Sequence, residues 1–70
     1  MTHKIRHHLY LGKQAEFIVP HGTVINIGDE ILVTDVKPQY NEIVTKILES
    51  RPANGVFNFP HPVYYKISVV

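Results

Sequence analysis

The stretch GTVINIGDEILVTDV, residues 22–36, sets two apolar, β-prone runs against each other across a Gly-Asp pair. Segment 23–27 (TVINI) is dense in β-branched residues, which suit a pleated, half-buried surface. Segment 30–36 (EILVTDV) alternates Ile31, Val33 and Asp35 against Leu32, Thr34 and Val36, so one side is more apolar than the other. Gly28 can adopt positive φ without a Cβ clash, and Asp29 can hydrogen-bond nearby backbone. The pair therefore reads as a chain reversal or sharp bend between two strands, and its purpose is structural. A catalytic Asp29 needs a partner acid, base or metal, and the sequence does not point to one.

The rest of the chain extends this reading. Segments 5–11 (IRHHLYL) and 15–19 (AEFIV) are short β-prone runs separated by Gly12, and Pro20, His21 and Gly22 form a turn cluster. Segment 38–50 (PQYNEIVTKILES) reads two ways. Tyr40, Ile43, Val44, Ile47 and Leu48 follow an amphipathic helix spacing, Glu42 and Lys46 make a favourable i, i+4 pair, and Pro52 would stop the helix. Against it, Ile43, Val44, Thr45 and Ile47 are β-branched and lose rotamer freedom in a helix. RPANG (51–55) is a turn signal, VFNF (56–59) is a short run, and Pro60 and Pro62 remove two ladder donors. Segment 63–70 (VYYKISVV) alternates like a closing strand, and as an edge it could pair with its twin or with another chain.

The expected fold is mainly β: one domain, residues 1–70, built as a small five-stranded bent barrel from 5–11, 15–19, 23–36, 42–49 and 63–69. The alternative is α+β, with one helix at 39–50 packed on an antiparallel sheet.

Seventy residues make a small domain, and chains of about 60 residues bury only roughly 60% of their unfolded surface. Such folds often lean on a disulfide, a metal or a partner, but the absence of cysteine excludes disulfides and thiolate metal sites. No apolar run approaches the roughly 20 residues needed to span a bilayer, so a soluble, cytoplasmic protein is expected. A composition of 44% hydrophobic and 19% charged residues is that of an ordinary globular domain. A net charge of +1 does not by itself mark a nucleic-acid binder. Its distribution says more, because Lys4, Arg6 and Lys13 face only Glu16 in the first 21 residues.

Cations with aromatic faces are what an unpaired nucleic-acid strand needs, because cations neutralise phosphates and aromatic rings stack on bases. Arg6, His7, His8, Tyr10 and Lys13 lie close together, and Lys66 follows Tyr64 and Tyr65. Read singly, Tyr10 and one of Tyr64 or Tyr65 pack in the core with their hydroxyls at its edge. Non-enzymatic nucleic-acid binding, RNA ahead of DNA, is the leading expectation, with affinity rising as histidines gain charge below about pH 7. The rival is a protein-interaction module, a small regulator or inhibitor docking on a larger protein or on its own twin. The histidines His3, His7, His8, His21 and His61 match no zinc spacing, so neither a metal nor another cofactor is expected. Catalytic machinery is equally hard to find: there is no cysteine, no glycine-rich phosphate loop, and Ser50 and Ser68 are the only serines.

Gly12-Lys13 followed by Glu16-Phe17, then Ile27-Gly28-Asp29 leading into Ile31 and Val33, form a recognisable order. Beyond them come residues 43–48 (IVTKIL) and a closing 65–69 (YKISV). This order resembles the PUA-like superfamily, particularly its ASCH branch of small RNA-associated barrels, over residues 12–69. The Gly-Asp strand alone is also similar to Src-homology-3-like barrels. The resemblance implies a barrel, a strand rather than a helix at 42–49, and RNA as the ligand. Domains of that kind place a helix before the Gly-Lys stretch, which residues 1–11 are too short to supply.

Overall fold

A computed structural model describes residues 1–53 and 60–70. The described chain is mainly β, with no helix, and its six strands form one curled half-barrel sheet. The strands are β1 (Thr2–Ile5), β2 (Leu9–Leu11), β3 (Gln14–Val19), β4 (Glu30–Val33), β5 (Tyr40–Pro52) and β6 (Val63–Val69). Their order across the sheet is β1-β4-β5-β6-β3-β2; β1 and β4 run parallel and every other pair is antiparallel.

The curl follows from chain length. β1 and β2 are the two edges of the described sheet, yet only Arg6, His7 and His8 lie between them in sequence. Four Cα–Cα steps reach at most about 14 Å. The edges of a flat six-stranded sheet would stand roughly 24 Å apart at the usual spacing. The sheet must bend to let so short a link join its ends.

β5 is where it bends. Tyr40–Ile43 pair with β4, and Val44 onward pair with β6, with register shifts between Val44 and Lys46 and between Ile47 and Glu49. Such bulges add twist and turn one long strand from one half of a curled sheet into the other. The helix alternative for 39–50 is thereby excluded. β-branched Ile43, Val44, Thr45 and Ile47 suit a strand bonded on both edges, and tertiary pairing overrides the helical spacing.

The core fills the inside of the curl. Ala15, Phe17 and Val19 of β3 face Tyr65, Ile67 and Val69 of β6, with Ile31 and Val33 of β4 and Val44 of β5 completing the wall. Each valine, isoleucine or phenylalanine among them, fully buried, contributes about 1.5–3 kcal/mol. Phe17 and Tyr65 stack with ring centroids 6.2 Å apart, and the buried Tyr65 hydroxyl accepts the Ile25 amide at 3.3 Å. That bond draws residue 25 into the core from a loop.

Residues 23–27 are the chief departure from the expected strands. Val24 and Ile27 are 61% and 67% exposed, and Ile25 alone of the three is buried. The backbone here is committed to local bonds instead of a ladder: Thr23 N donates to Pro20 O and Asp29 N to Asn26 O. Gly28, at φ +91°, then feeds the chain directly into β4, its amide donating to Val44 O at 2.8 Å. The Gly-Asp bend is present, but a loop leads into it. Segment 5–11 is likewise two strands, broken at Arg6–His8. Segment 63–70 is no edge: β6 lies between β5 and β3, bonded on both sides, because its alternating faces and both ladders are used. Arg51 and Pro52 extend β5, whereas Asn54, Gly55 and the 56–59 run lie outside the described residues. No described helix is long and apolar enough to cross a membrane.

Candidate ligand cleft

At one end of the curl β5 begins, β6 finishes and β2 turns into β3. A cleft of about 550 Å³ opens there, lined by Tyr10, Lys13, Tyr40, Asn41, Glu42, Val69 and Val70. Tyr10 stands opposite buried Ala15 in the β2–β3 ladder, so it points to the concave side. β2 is an edge, however, and the ring remains 53% exposed instead of entering the core. Tyr40 is 39% exposed. Lys13 sits in the β2–β3 turn beside Gly12, whose φ of +67° the turn requires, and its carbonyl accepts Val69 N at 2.9 Å.

Beneath the cleft lies a buried carboxylate. Glu42 lies on the same side of β5 as Val44 and is buried, its side chain 5% exposed. His8 comes from the short link that closes the curl; its side chain is 2% exposed, and its Nε2 lies 3.1 Å from Glu42 Oε2. A carboxylate can only accept, so Nε2 carries the donated proton. The His8 ring stacks with Tyr10 at 6.1 Å and meets Tyr40 edge-on at 6.4 Å. Glu42 therefore holds His8, and His8 holds both tyrosines.

Glu42 Oε1 is buried as well, and the Glu42 side chain also takes a hydrogen bond from the Tyr40 hydroxyl. Burial raises the Tyr40 hydroxyl pKa, the nearby Glu42 and Asp35 charges raise it further, and so does its hydrogen bond to the Glu42 side chain. The tyrosine accordingly stays a neutral donor at the cleft mouth.

The sequence candidates divide around this cleft. Tyr10 and Lys13 line it, and His8 braces it from behind. Arg6 is exposed in the adjoining link. His7 belongs to a different groove, with Leu9, Ile18, Pro62 and Tyr64 on the convex face. Lys66 is also convex, 3.9 Å from its cross-strand neighbour Glu16, while Arg51 lies over the Tyr64 ring at 4.4 Å. The six residues thus form no continuous surface. Of the two candidate core tyrosine positions, Tyr65 is buried as expected and Tyr10 is not.

Tyr40, Asn41 and Glu42 are cleft residues that sequence reasoning did not single out. A signal existed: read as a strand, residues 42 and 44 share a face, which puts a glutamate beside a core valine. The histidines do not converge either. His3 meets Asp29, His8 meets Glu42, and His21 and His61 line a third cleft. Among the described residues no group of three His, Cys, Asp or Glu is placed to hold a metal ion. Compared with known proteins, the chain matches no family model, no curated protein and no solved structure.

Proposed function

We propose that the chain is a small non-enzymatic module that binds single-stranded nucleic acid, RNA ahead of DNA, in the cleft between Tyr10 and Tyr40. The supporting observation is the grouping of two half-exposed tyrosines with Lys13 around one concave opening. Stacking of a base on an aromatic side chain is worth about 1–3 kcal/mol, and a lysine beside it neutralises a phosphate. Exposed Arg6 extends the positive charge along the strand's path. His8 serves as a brace, and Lys66, on the convex face beside Glu16, takes no part.

Titration of a fluorescent single-stranded RNA at low salt tests this reading. Binding should weaken steeply with added salt, and Tyr10→Ala or Lys13→Gln should each reduce affinity about tenfold. Lys66→Gln should change little. Absence of binding at low salt would reject the reading.

A second reading rests on the β2 edge. Leu9, Tyr10 and Leu11 are each about half exposed, and the strand pairs with β3 on one side only among the described residues. An apolar edge strand is a template for adding another chain's strand. Sedimentation over a range of concentrations separates the two: Tyr10→Ala, which keeps the edge but removes the ring, should still self-associate, whereas Tyr10→Pro, which blocks the edge, should not.

A further inference from the structure

We infer that the outer edge of β2 is a docking site for an extended acidic peptide, which joins the sheet as a further strand hydrogen-bonded to Tyr10. The inference rests on the edge reading above and names the partner that the edge selects.

Backbone geometry decides which groups are on offer. Gly12 and Lys13 form the two-residue turn of the β2–β3 hairpin, which pairs Leu11 with Gln14, Tyr10 with Ala15 and Leu9 with Glu16. Opposed residues of an antiparallel pair alternate between exchanging both hydrogen bonds and exchanging none. The Lys13 carbonyl accepts Val69 N at 2.9 Å, so Lys13 and, two residues on, Ala15 turn their backbone groups toward β6. Gln14 and Glu16 therefore bond to Leu11 and Leu9, and Tyr10 directs its amide and carbonyl away from β3. A new strand would continue the sheet from those two groups. Its residue opposite Tyr10 would point to the concave side, beside the half-exposed ring, and that residue's neighbours would meet Leu9 and Leu11 on the convex side.

Native edges are commonly blunted by a lysine, a proline or a bulge. β1, the other edge of the described sheet, carries the exposed Lys4, whereas Leu9, Tyr10 and Leu11 are uncharged and each about half exposed. The charge lies beyond the two ends of β2 instead. Arg6 precedes the strand and Lys13 follows it; both are exposed, and among the described residues neither enters an ion pair.

Those cations choose the occupant. A second copy paired edge to edge sets Lys13 against the Arg6 end when antiparallel, and like residues against each other when parallel. Such repulsion confines self-association to high concentration. A strand with a short β-branched centre and acidic flanks meets the same cations with opposite charge, while main-chain bonds to Tyr10 fix it in place. An RNA strand can neutralise the cations but offers no peptide amide and carbonyl to continue the ladder.

The probe is a capped peptide with a valine-threonine-valine centre and three glutamates on each flank, titrated into isotope-labelled protein at low salt. At saturation, hydrogen exchange of the Tyr10 amide should slow about tenfold or more, while the Leu9 and Leu11 amides, already bonded to β3, change little. A peptide with lysine flanks should bind about tenfold more weakly, and Lys13→Gln should weaken the acidic peptide about threefold, as loss of a surface ion pair does. Tyr10→Pro should abolish binding, and Tyr10→Ala should bind within about threefold of wild type. Should Tyr10→Pro fail to fold, the exchange measurement on wild type decides alone. Equal binding of acidic and lysine-flanked peptides, with the Tyr10 amide protected by both, would overturn the acidic partner and leave the edge reading intact. No protection by either peptide would overturn the inference, and sedimentation without self-association would then remove the edge reading too. A Tyr10 ring shift with single-stranded RNA, its amide unprotected by peptide, would overturn the inference in favour of the nucleic-acid cleft.

Discussion

His3 Nε2 lies 2.8 Å from Asp29 Oδ2, with their side chains only 9% and 12% exposed. Asp29 Oδ2 also accepts the Asn26 amide at 3.0 Å, so one carboxylate ties β1 to the bend that launches β4. The parallel β1–β4 pairing starts at Thr2 and Glu30, immediately beside this knot. Asp29 therefore has the structural task expected of it, and the partner that sequence could not supply is a histidine 26 residues away.

The His3 hydrogen bond, then the Asn26 amide, hold the Asp29 carboxyl at about 2, below its usual 3.8. A carboxyl whose folded pKa is depressed adds stability that is fully present above about pH 4 and is lost as pH falls through the folded value. Asp29→Asn should melt several degrees lower than wild type at neutral pH. Between pH 4 and pH 2 its melting temperature should fall less steeply, because this proton-linked contribution is gone. Parallel melting curves across that window would contradict the assignment.

Gly28 offers a cleaner backbone test. Its φ is +91°, and a Cβ built there meets nothing within 4 Å. Gly28→Ala should nonetheless cost about 1 kcal/mol or more, purely from backbone conformation. Urea denaturation with an unchanged slope and a lower midpoint is the expected signature.

The two faces of the β3–β6 ladder predict opposite tolerances. Ile67 is fully buried in the middle of β6, whereas Ile18 of β3 is 54% exposed on the convex side. Ile67→Ala should lose about 2–5 kcal/mol, through lost burial and the cavity left behind. Ile18→Ala should stay within about 0.5 kcal/mol of wild type. Comparable losses at both positions, read from chemical denaturation, would mean that the convex face is covered in solution.

What was legible in the sequence was the local grammar. The alternation in 63–69 gave the right inner face for Tyr65, Ile67 and Val69, and Gly28-Asp29 marked a real bend. Long-range pairing was not legible. Nothing local announces that β6 lies between β5 and β3, or that TVINI spends its backbone on turns and sends only Ile25 inward. The site suffered for the same reason. Arg6, His7 and His8 are adjacent in sequence, yet chain curvature sends His8 inward to Glu42, leaves Arg6 exposed and puts His7 on the convex groove. Clustering in sequence indicated the right link and could not assign its three directions.

The His8–Glu42 pair separates what stabilises the fold from what equips the cleft. Removing one partner of a buried hydrogen-bonded pair leaves the other unsatisfied, which costs about 1–3 kcal/mol. His8→Ala should show that loss, and Tyr10 and Tyr40 should lose their shared packing surface with it. Replacing both partners with apolar side chains, as His8→Phe with Glu42→Leu, should recover stability to near wild type, since no buried polar group is then left unpaired. If stability were the pair's main role, the apolar double variant would then be an adequate substitute in every assay. The cleft predicts otherwise: the stable double variant, without the Glu42–His8 bond that fixes the ring between Tyr10 and Tyr40, should bind single-stranded RNA at low salt more weakly than wild type. Recovered stability together with wild-type RNA affinity would show that the pair serves stability alone.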